Sequence, residues 1–220
     1  MTERRRPPER LPHNPRLLLV RHAMPVVDPA VPAALWHLGD AGRDAARRLR
    51  PFIPAGARFV ASTEPKAVET LRELAGDAPI ATDAGFAEVR RPDAWGAGYR
   101  ATARSYVEGA GHDGWEPHVE VVARFDAAVR RHCAAFGPTT GTLVVGTHGL
   151  ACTLWLAGLG LGSAEAEPEA EAEPQAQAEA EPEAELESKP GPGAFWESLR
   201  FPDLIAVDPA SLGARRIVGG

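Results

Sequence analysis

Residues 16–22 have the sequence Arg-Leu-Leu-Leu-Val-Arg-His, and this stretch decides the fold class. A continuous apolar run that ends on polar residues is typical of a strand buried on both faces of a parallel sheet. A second run of this kind, Gly-Thr-Leu-Val-Val-Gly at 141–146, leads into Thr147-His148-Gly149. Ligands bind at the carboxyl ends of the strands in such sheets, so His22 and His148 predict a site at one edge of the sheet.

Helices and further strands alternate along the rest of the chain. Apolar positions at helical spacing predict helices, and short apolar runs predict strands. The predicted helices span 39–50, 64–75, 93–109, 117–136 and 150–159, and the further strands span 58–62, 79–82, 203–208 and 214–218. This alternation predicts an α/β fold, a three-layer sandwich with a mostly parallel central sheet covered by helices on both faces.

An Ala/Glu/Pro-rich segment at 163–192 interrupts the pattern. Residues 164–187 contain ten glutamates, no lysine or arginine, and one large apolar residue, Leu186. Such a composition cannot bury enough surface to fold. We therefore expect one domain at 16–220, interrupted by a disordered insertion at 163–192 and preceded by a disordered tail at 1–15.

The net charge of −6 belongs to that segment. Without its ten glutamates the chain has 24 basic and 20 acidic side chains (30 − 10), or about +4. A mildly basic domain suits a small anionic substrate, and the excess of charge is too small to indicate nucleic acid as a partner.

The expected location is the cytoplasm. The first sixteen residues lack the apolar core of a secretory signal, and no window of eighteen apolar residues predicts a membrane span. Cys133 and Cys152 are too few for a disulfide framework and lie in apolar helical patterns, which favours reduced core residues.

Four motifs follow one another along residues 16–160. Leu19-Val20-Arg21-His22-Ala23 and Leu38-Gly39-Asp40-Ala41-Gly42 resemble, in turn, the strand followed by Arg-His-Gly and the Leu-x-x-x-Gly helix start of the histidine phosphatase (phosphoglycerate mutase-like) superfamily. Residues 62–70 are similar to its Ser-x-x-x-Arg-Ala-x-x-Thr element, and Val144 to Gly149 resemble its second histidine motif. The four motifs occur in the family's order across residues 16–160.

The resemblance implies a phosphomonoesterase of the histidine acid phosphatase type. His22 would be the nucleophile that forms a phosphohistidine, and Arg21, Lys66 and His148 would bind the phosphoryl group. The proton donor is expected in the segment 85–91, where Glu88 is favoured over the more distant Glu108 and Glu116. As an ordinary loop carboxylate, Glu88 would need no such role. No metal and no organic cofactor are expected, since no nucleotide loop or metal-binding motif is present.

Two departures from the family pattern keep other functions open. Lys66 stands where the family has a second arginine; it has no bidentate fork and could be a solvated helix residue. Ala23 replaces the signature glycine. A phosphomutase of the same fold is one alternative, made less favourable by Met24-Pro25. An inactive phosphate-binding or scaffold protein is the other, although binding alone would not require an acid beside a nucleophile.

Several further side chains are candidates for the rim of the site. Arg90 and Arg91 could bind a second anionic group of the substrate or could be plain surface residues. Trp36, Trp95 and Tyr99 could line the mouth of the site or pack in the core. The identity of the substrate and the oligomeric state do not follow from the sequence.

Overall fold

The computed structural model describes residues 17–93, 98–136, 141–160, 190–208 and 213–217. The tail expected at 1–15, residues 163–189 of the expected insertion, and Trp95 lie outside these residues. The expectations about them therefore stay predictions.

Twelve helices and strands within these residues position the site. The strands are β1 (Leu17–Arg21), β2 (Arg58–Ala61), β3 (Ile80–Thr82), β4 (Leu143–Thr147), β5 (Asp203–Asp208) and β6 (Gly213–Arg216). The α-helices are α1 (Asp40–Arg47), α2 (Pro65–Ala75), α3 (Tyr99–Val107), α4 (His118–Ala134), α5 (Gly149–Gly158) and α6 (Pro192–Ser198). Short 3₁₀ turns lie at 33–35, 50–52 and 84–86.

The described strands form one six-stranded sheet in the order β3-β2-β4-β1-β5-β6. β3, β2, β4 and β1 pair in parallel, whereas β5 is antiparallel to β1 and β6 is antiparallel to β5. The predicted α/β fold class with a mostly parallel sheet is confirmed. The antiparallel edge is a feature that apolar patterning does not indicate, because an apolar run carries no strand direction.

Alternate residues of β1 belong to two different cores. Leu17 and Leu19 pack in the core that contains Phe125 of α4. Leu18 and Val20 pack in the core that contains Leu71 of α2. Successive side chains of a strand point to opposite faces of the sheet, so a strand covered on both faces needs an unbroken apolar run.

The register of β1 and β4 determines where the two histidines leave the sheet. Arg21 pairs with Thr147, so His22 and His148 are the next residues on neighbouring parallel strands. The backbone N–H of His22 donates to the Thr147 carbonyl at 3.0 Å, which continues the pairing by one residue. The predicted convergence at the carboxyl edge follows from this register.

Some helix bounds differ from those that the sequence predicts. α1 ends at Arg47, short of 50, and a 3₁₀ turn with Pro51 follows, because proline cannot continue the helical hydrogen bonds. α6 is not predicted by apolar spacing, and it begins at Pro192, the last residue of the expected insertion. Cys152 is buried and Cys133 is partly buried. None of the helices in the described part of the chain is long and apolar enough to cross a membrane.

Candidate active site

The imidazole of His22 is oriented by the residue that follows it. Its Nδ1 lies 2.8 Å from the carbonyl oxygen of Ala23. A carbonyl only accepts, so Nδ1 carries the proton and Nε2 of the neutral ring keeps the lone pair. The N–H of Ala23 donates to Thr70 Oγ1 at 2.9 Å, and Thr70 Oγ1 donates to the Lys66 carbonyl at 2.7 Å. The Ser-x-x-x-Lys-Ala-x-x-Thr element therefore fixes the turn that carries His22.

Burial keeps the His22 ring uncharged. The residue is 6% exposed, and desolvation, followed by the neighbouring His148 and the charge of Lys66, lowers its pKa well below the ordinary value. A neutral ring with a free lone pair is the form in which imidazole acts as a nucleophile.

His148 is fully buried beside His22, and the two ring centroids are 5.1 Å apart. Its Nε2 lies 2.8 Å from Ser62 Oγ and 3.3 Å from Glu64 Oε1. Its Nδ1 is buried and has no hydrogen-bond partner among the described residues. Burial, and then the positive charge of Lys66, lowers the pKa of His148 well below its ordinary value.

Arg21 is held between the C-terminal segment and α5. Its Nη1 donates to the Leu199 carbonyl at 2.8 Å, and its Cζ lies 3.5 Å from the centroid of the Phe201 ring. On the opposite side, a Cβ at position 149 would lie 3.1 Å from Nε, Cζ and Nη2 of Arg21. Gly149 therefore allows the helix start to approach the guanidinium, whose buried Nε has no partner among the described residues.

Lys66 is buried, and its ammonium is already occupied. Nζ donates to the Ala33 carbonyl at 2.7 Å and forms an ion pair with the carboxylate of Glu64. Glu64 Oε1 also accepts the backbone N–H of Glu88 at 2.8 Å. Glu64 thus joins Lys66, His148 and the Glu88 segment. Lys66 is 5% exposed, which rules out the reading that it is a solvated helix residue.

The Glu88 side chain faces the start of α5. Its Oε1 accepts the N–H of Ala151 at 2.9 Å and that of Val89 at 3.0 Å, and Oε2 accepts the N–H of Leu150 at 3.3 Å. The N–H groups of Leu150 and Ala151 belong to the first turn of α5, where backbone donors have no partner within the helix. Glu88 also lines the cavity described below.

Arg124 and Glu116 fix the backbone around Glu88. Arg124 donates to the carbonyls of Gly85, Ala87 and Glu88 and pairs with Glu116, whose carboxylate is fully buried. Glu116 therefore supports the loop, and Glu108 pairs with Arg104 on the surface. These two alternatives to Glu88 have structural partners away from His22.

A cavity of about 640 Å³ opens over these side chains. It is lined by four of the five residues predicted for the site, Arg21, His22, Lys66 and Glu88, whereas His148 is buried beneath it. The rim candidates Arg90, Arg91, Trp36 and Tyr99 also line the cavity. Among the described residues, no group of three or more His, Cys, Asp or Glu side chains is placed to hold a metal ion.

Two contributors escape prediction from the sequence. Glu64 occupies a variable position of the quoted 62–70 motif, and only its place two residues before Lys66 could have drawn attention to it. Phe201 stacks on Arg21 and lies 5.4 Å from the His22 ring, centroid to centroid. It is distant in sequence from every motif, and no pattern indicates its position.

Comparisons with solved structures identify the same architecture. YhfR from Bacillus stearothermophilus is 19% identical with a TM-score of 0.59, covering 93% of this chain and 96% of that one. A mycobacterial glucosyl-3-phosphoglycerate phosphatase in complex with VO3 is 18% identical with a TM-score of 0.59, covering 93% and 98%. A putative alpha-ribazole-5'-P phosphatase from Escherichia coli is 16% identical with a TM-score of 0.56, covering 92% and 94%. No family model matches the chain, and no curated protein matches it.

Proposed function

We propose that this chain, whose fold is that of the histidine phosphatase superfamily, is a metal-independent phosphomonoesterase that carries the phosphoryl group on Nε2 of His22. The state of the His22 ring is the observation that carries the proposal. Nδ1 binds the Ala23 carbonyl, Nε2 keeps the lone pair, and burial lowers the pKa so that the ring stays neutral. Such a ring can attack phosphorus directly.

The reaction has two steps that balance in protons. Nε2 attacks phosphorus, the bond to the ester oxygen breaks, and the leaving oxygen takes a proton from Glu88. The Glu88 carboxylate then takes a proton from water, the water oxygen bonds to phosphorus, and the N–P bond breaks. Inorganic phosphate leaves, and His22 and protonated Glu88 are restored. Support for this role is that Glu88 lines the same cavity as His22.

Arg21 and His148 are the donors beside His22 that we assign to the phosphoryl oxygens. Arg21 Nε and His148 Nδ1 are buried without partners among the described residues. Ser62 Oγ accepts the Glu64 N–H at 3.2 Å, so its own proton can be donated to His148 Nε2. When Ser62 Oγ donates to Nε2, the ring proton of His148 is on Nδ1. Fixed donors of this kind stabilise the charge of a transferring phosphoryl group without reorganisation.

The similar structures support the reaction class. Two of them are named as phosphatases, one for glucosyl-3-phosphoglycerate and one, putatively, for alpha-ribazole-5'-P. Their substrates do not transfer to this chain at such low identity.

The test is phosphate release from a panel of phosphomonoesters with a chelator present. His22→Asn should lower the rate by roughly a thousandfold or more, because the nucleophile is lost. The matched control is His132→Asn, since His132 pairs with Asp83 outside the cavity. Rapid acid-free quenching of the natural protein should reveal a phosphoenzyme that is stable to alkali and labile to acid.

Other outcomes would redirect the assignment. Transfer of the phosphoryl group to a second alcohol with little phosphate release would indicate the phosphomutase alternative. Binding of phosphate without turnover of any ester would indicate the binding-protein alternative.

A further inference from the structure

Large apolar side chains are exposed in the stretch that follows His22. The described residues contain six large apolar side chains that are exposed, and four of them, Met24, Val26, Val27 and Leu35, lie between residues 24 and 35. Clusters of exposed apolar groups in monomeric proteins mark binding sites. The side chains of this stretch that line the cavity form what we call the apolar wall: Met24, Pro25, Val27, Ala33, Ala34 and Trp36.

The apolar wall is held in place by hydrogen bonds. Trp36 Nε1 donates to the carbonyls of Asp28 at 3.0 Å and Val31 at 2.9 Å. Pro25 and Leu38 form a β-bridge, and the N–H of Val26 donates to the His37 carbonyl at 2.9 Å. A ligand therefore meets a preformed surface and does not have to order it, which reduces the entropic cost of binding.

Two contacts join the apolar wall to the residues around His22: close packing at Gly42 and a hydrogen bond from Lys66. A Cβ at Gly42 would lie 2.5 Å from the Met24 carbonyl, so glycine at the start of α1 allows the chain after His22 to pack closely. Lys66 donates to the Ala33 carbonyl from below. The wall thus begins two residues after His22.

Polar atoms form the smaller part of the cavity lining. Cavities of this size, about 640 Å³, accept drug-sized molecules, and a phosphoryl group fills only a fraction of one. At the rim, Arg90 pairs with Glu116 and Glu120, and Arg100 pairs with Glu197. Arg91 stacks over the Tyr99 ring, with its Cζ 5.1 Å from the ring centroid. Most of the remaining surface that a leaving group would contact is apolar.

We propose that the substrate is a phosphate monoester whose alcohol has a large apolar body, and that this body lies against the apolar wall while His22 attacks phosphorus. The inference rests on the proposed function and specifies its substrate class. The phosphorus–oxygen bond breaks as described above, and an apolar alcohol is released.

A series of straight-chain alkyl phosphates from ethyl to octyl tests the proposal. Leaving-group acidity is nearly constant in this series, so differences in kcat/KM report binding of the chain. We expect kcat/KM to rise roughly two- to fourfold per added methylene that is buried. Glycerol phosphate and 3-phosphoglycerate should fall near ethyl phosphate. A flat series of kcat/KM values would overturn the proposal. A preference for 3-phosphoglycerate would also overturn it and would indicate that Arg91 binds a second anionic group.

Two neighbouring valines provide the matched variants. Val26 is 60% exposed and Val27 is 51% exposed, but only Val27 lines the cavity. Val27→Asn should lower the ratio of kcat/KM for octyl phosphate to that for ethyl phosphate by roughly three- to tenfold, and its circular dichroism spectrum should show that the variant is folded. Val26→Asn should not change this ratio. Equal effects of the two substitutions on octyl phosphate would contradict the assignment of the wall.

Binding of alkylphosphonates separates this proposal from the proposed function. These compounds cannot be hydrolysed, and calorimetry measures their affinity whether or not the protein turns over any ester. Octylphosphonate should bind at least roughly tenfold more tightly than methylphosphonate, with the difference reduced in Val27→Asn. Tight octylphosphonate binding without hydrolysis of any alkyl phosphate would refute the enzymatic role. It would still support the proposal that the apolar wall binds an apolar ligand. Equal binding of the two phosphonates would refute the apolar ligand.

Discussion

The carboxylate of Glu64 binds the ammonium of Lys66 inside the cavity, so a cation expected to bind phosphate is paired with an anion of the same chain. Both side chains are buried, and Glu64 Oε1 is also 3.3 Å from His148 Nε2. Glu64 therefore lies where negative charge is favoured, among the groups that an incoming phosphate would use. An anionic ligand has to compete with it or rearrange it.

Glu64→Gln should strengthen the binding of phosphate. The amide keeps an oxygen for the Glu88 N–H but no longer neutralises Lys66, so affinity for inorganic phosphate should rise roughly three- to tenfold. Without ligand the variant should unfold at a lower temperature, because Lys66 loses its buried counter-charge. Calorimetric titration with phosphate measures the first effect and thermal unfolding the second.

Glu73→Gln is the control for this variant. Glu73 is on α2, the helix that begins directly after Glu64, and pairs with Arg43 and Arg47 away from the cavity, so phosphate affinity should not change. Weaker phosphate binding in Glu64→Gln would mean that Glu64 positions Lys66 for the ligand and does not compete with it.

Gly149→Ala should weaken the site through Arg21. The new methyl group would press on the guanidinium, which cannot retreat because Phe201 stacks on its other face and the Leu199 carbonyl binds Nη1. Displacement of the Arg21 guanidinium, which we expect to bind the phosphoryl group, by a fraction of an ångström should lower kcat/KM by roughly tenfold or more. Gly111→Ala adds the same methyl group into open space, and its activity should match that of the natural protein. Full activity of Gly149→Ala would show that Arg21 does not need its present position.

The two buried histidines should make stability depend on pH. Burial lowers the pKa of His22 and His148 well below 6.5, so the unfolded chain binds protons that the folded chain excludes. Stability is therefore fully present above about pH 6.5 and is lost as pH falls below it, by up to about 1.4 kcal/mol per pH unit for each ring. His22→Gln should remove one of the two contributions.

Denaturant unfolding at about pH 8, about pH 6 and about pH 5 measures this dependence. At about pH 8 both rings are neutral in both states, so that comparison isolates the direct effect of the substitution. The slope between the two lower values should be smaller in His22→Gln than in the natural protein. Parallel pH profiles for the two proteins would show that the His22 ring is protonated in the folded state.

Deletion of residues 164–187 should preserve both folding and turnover. α5 ends at Gly158 and α6 begins at Pro192, and these two helices pack against each other. Shortening a connection changes the free-energy cost of closing it only by about 1 kcal/mol. Thermal unfolding and ester hydrolysis check the prediction. A large fall in melting temperature would show that the Ala/Glu/Pro segment contributes to the fold.

The centre of the sheet and both histidines are predictable because their signal is local. β1 and β4 are unbroken apolar runs, and the histidines follow directly. Lys66 is locatable through its motif, but its pairing with Glu64 depends on how the 62–70 turn folds. Phe201 reaches Arg21 only because β5 pairs with β1, which is a long-range relationship. The apolar wall is likewise a property of exposure, which residue type alone does not reveal.

The order of the strands makes the site depend on two parts of one chain. β5 lies after residues 161–189 yet pairs with β1, and the same late part supplies Leu199 and Phe201 to Arg21. A backbone cut between 161 and 189 would leave His22 and Arg21 on one fragment, and the residues that contact Arg21 from the C-terminal side on the other. The two fragments could therefore be produced separately and mixed. Ester hydrolysis by the mixture would report the pairing of β5 with β1.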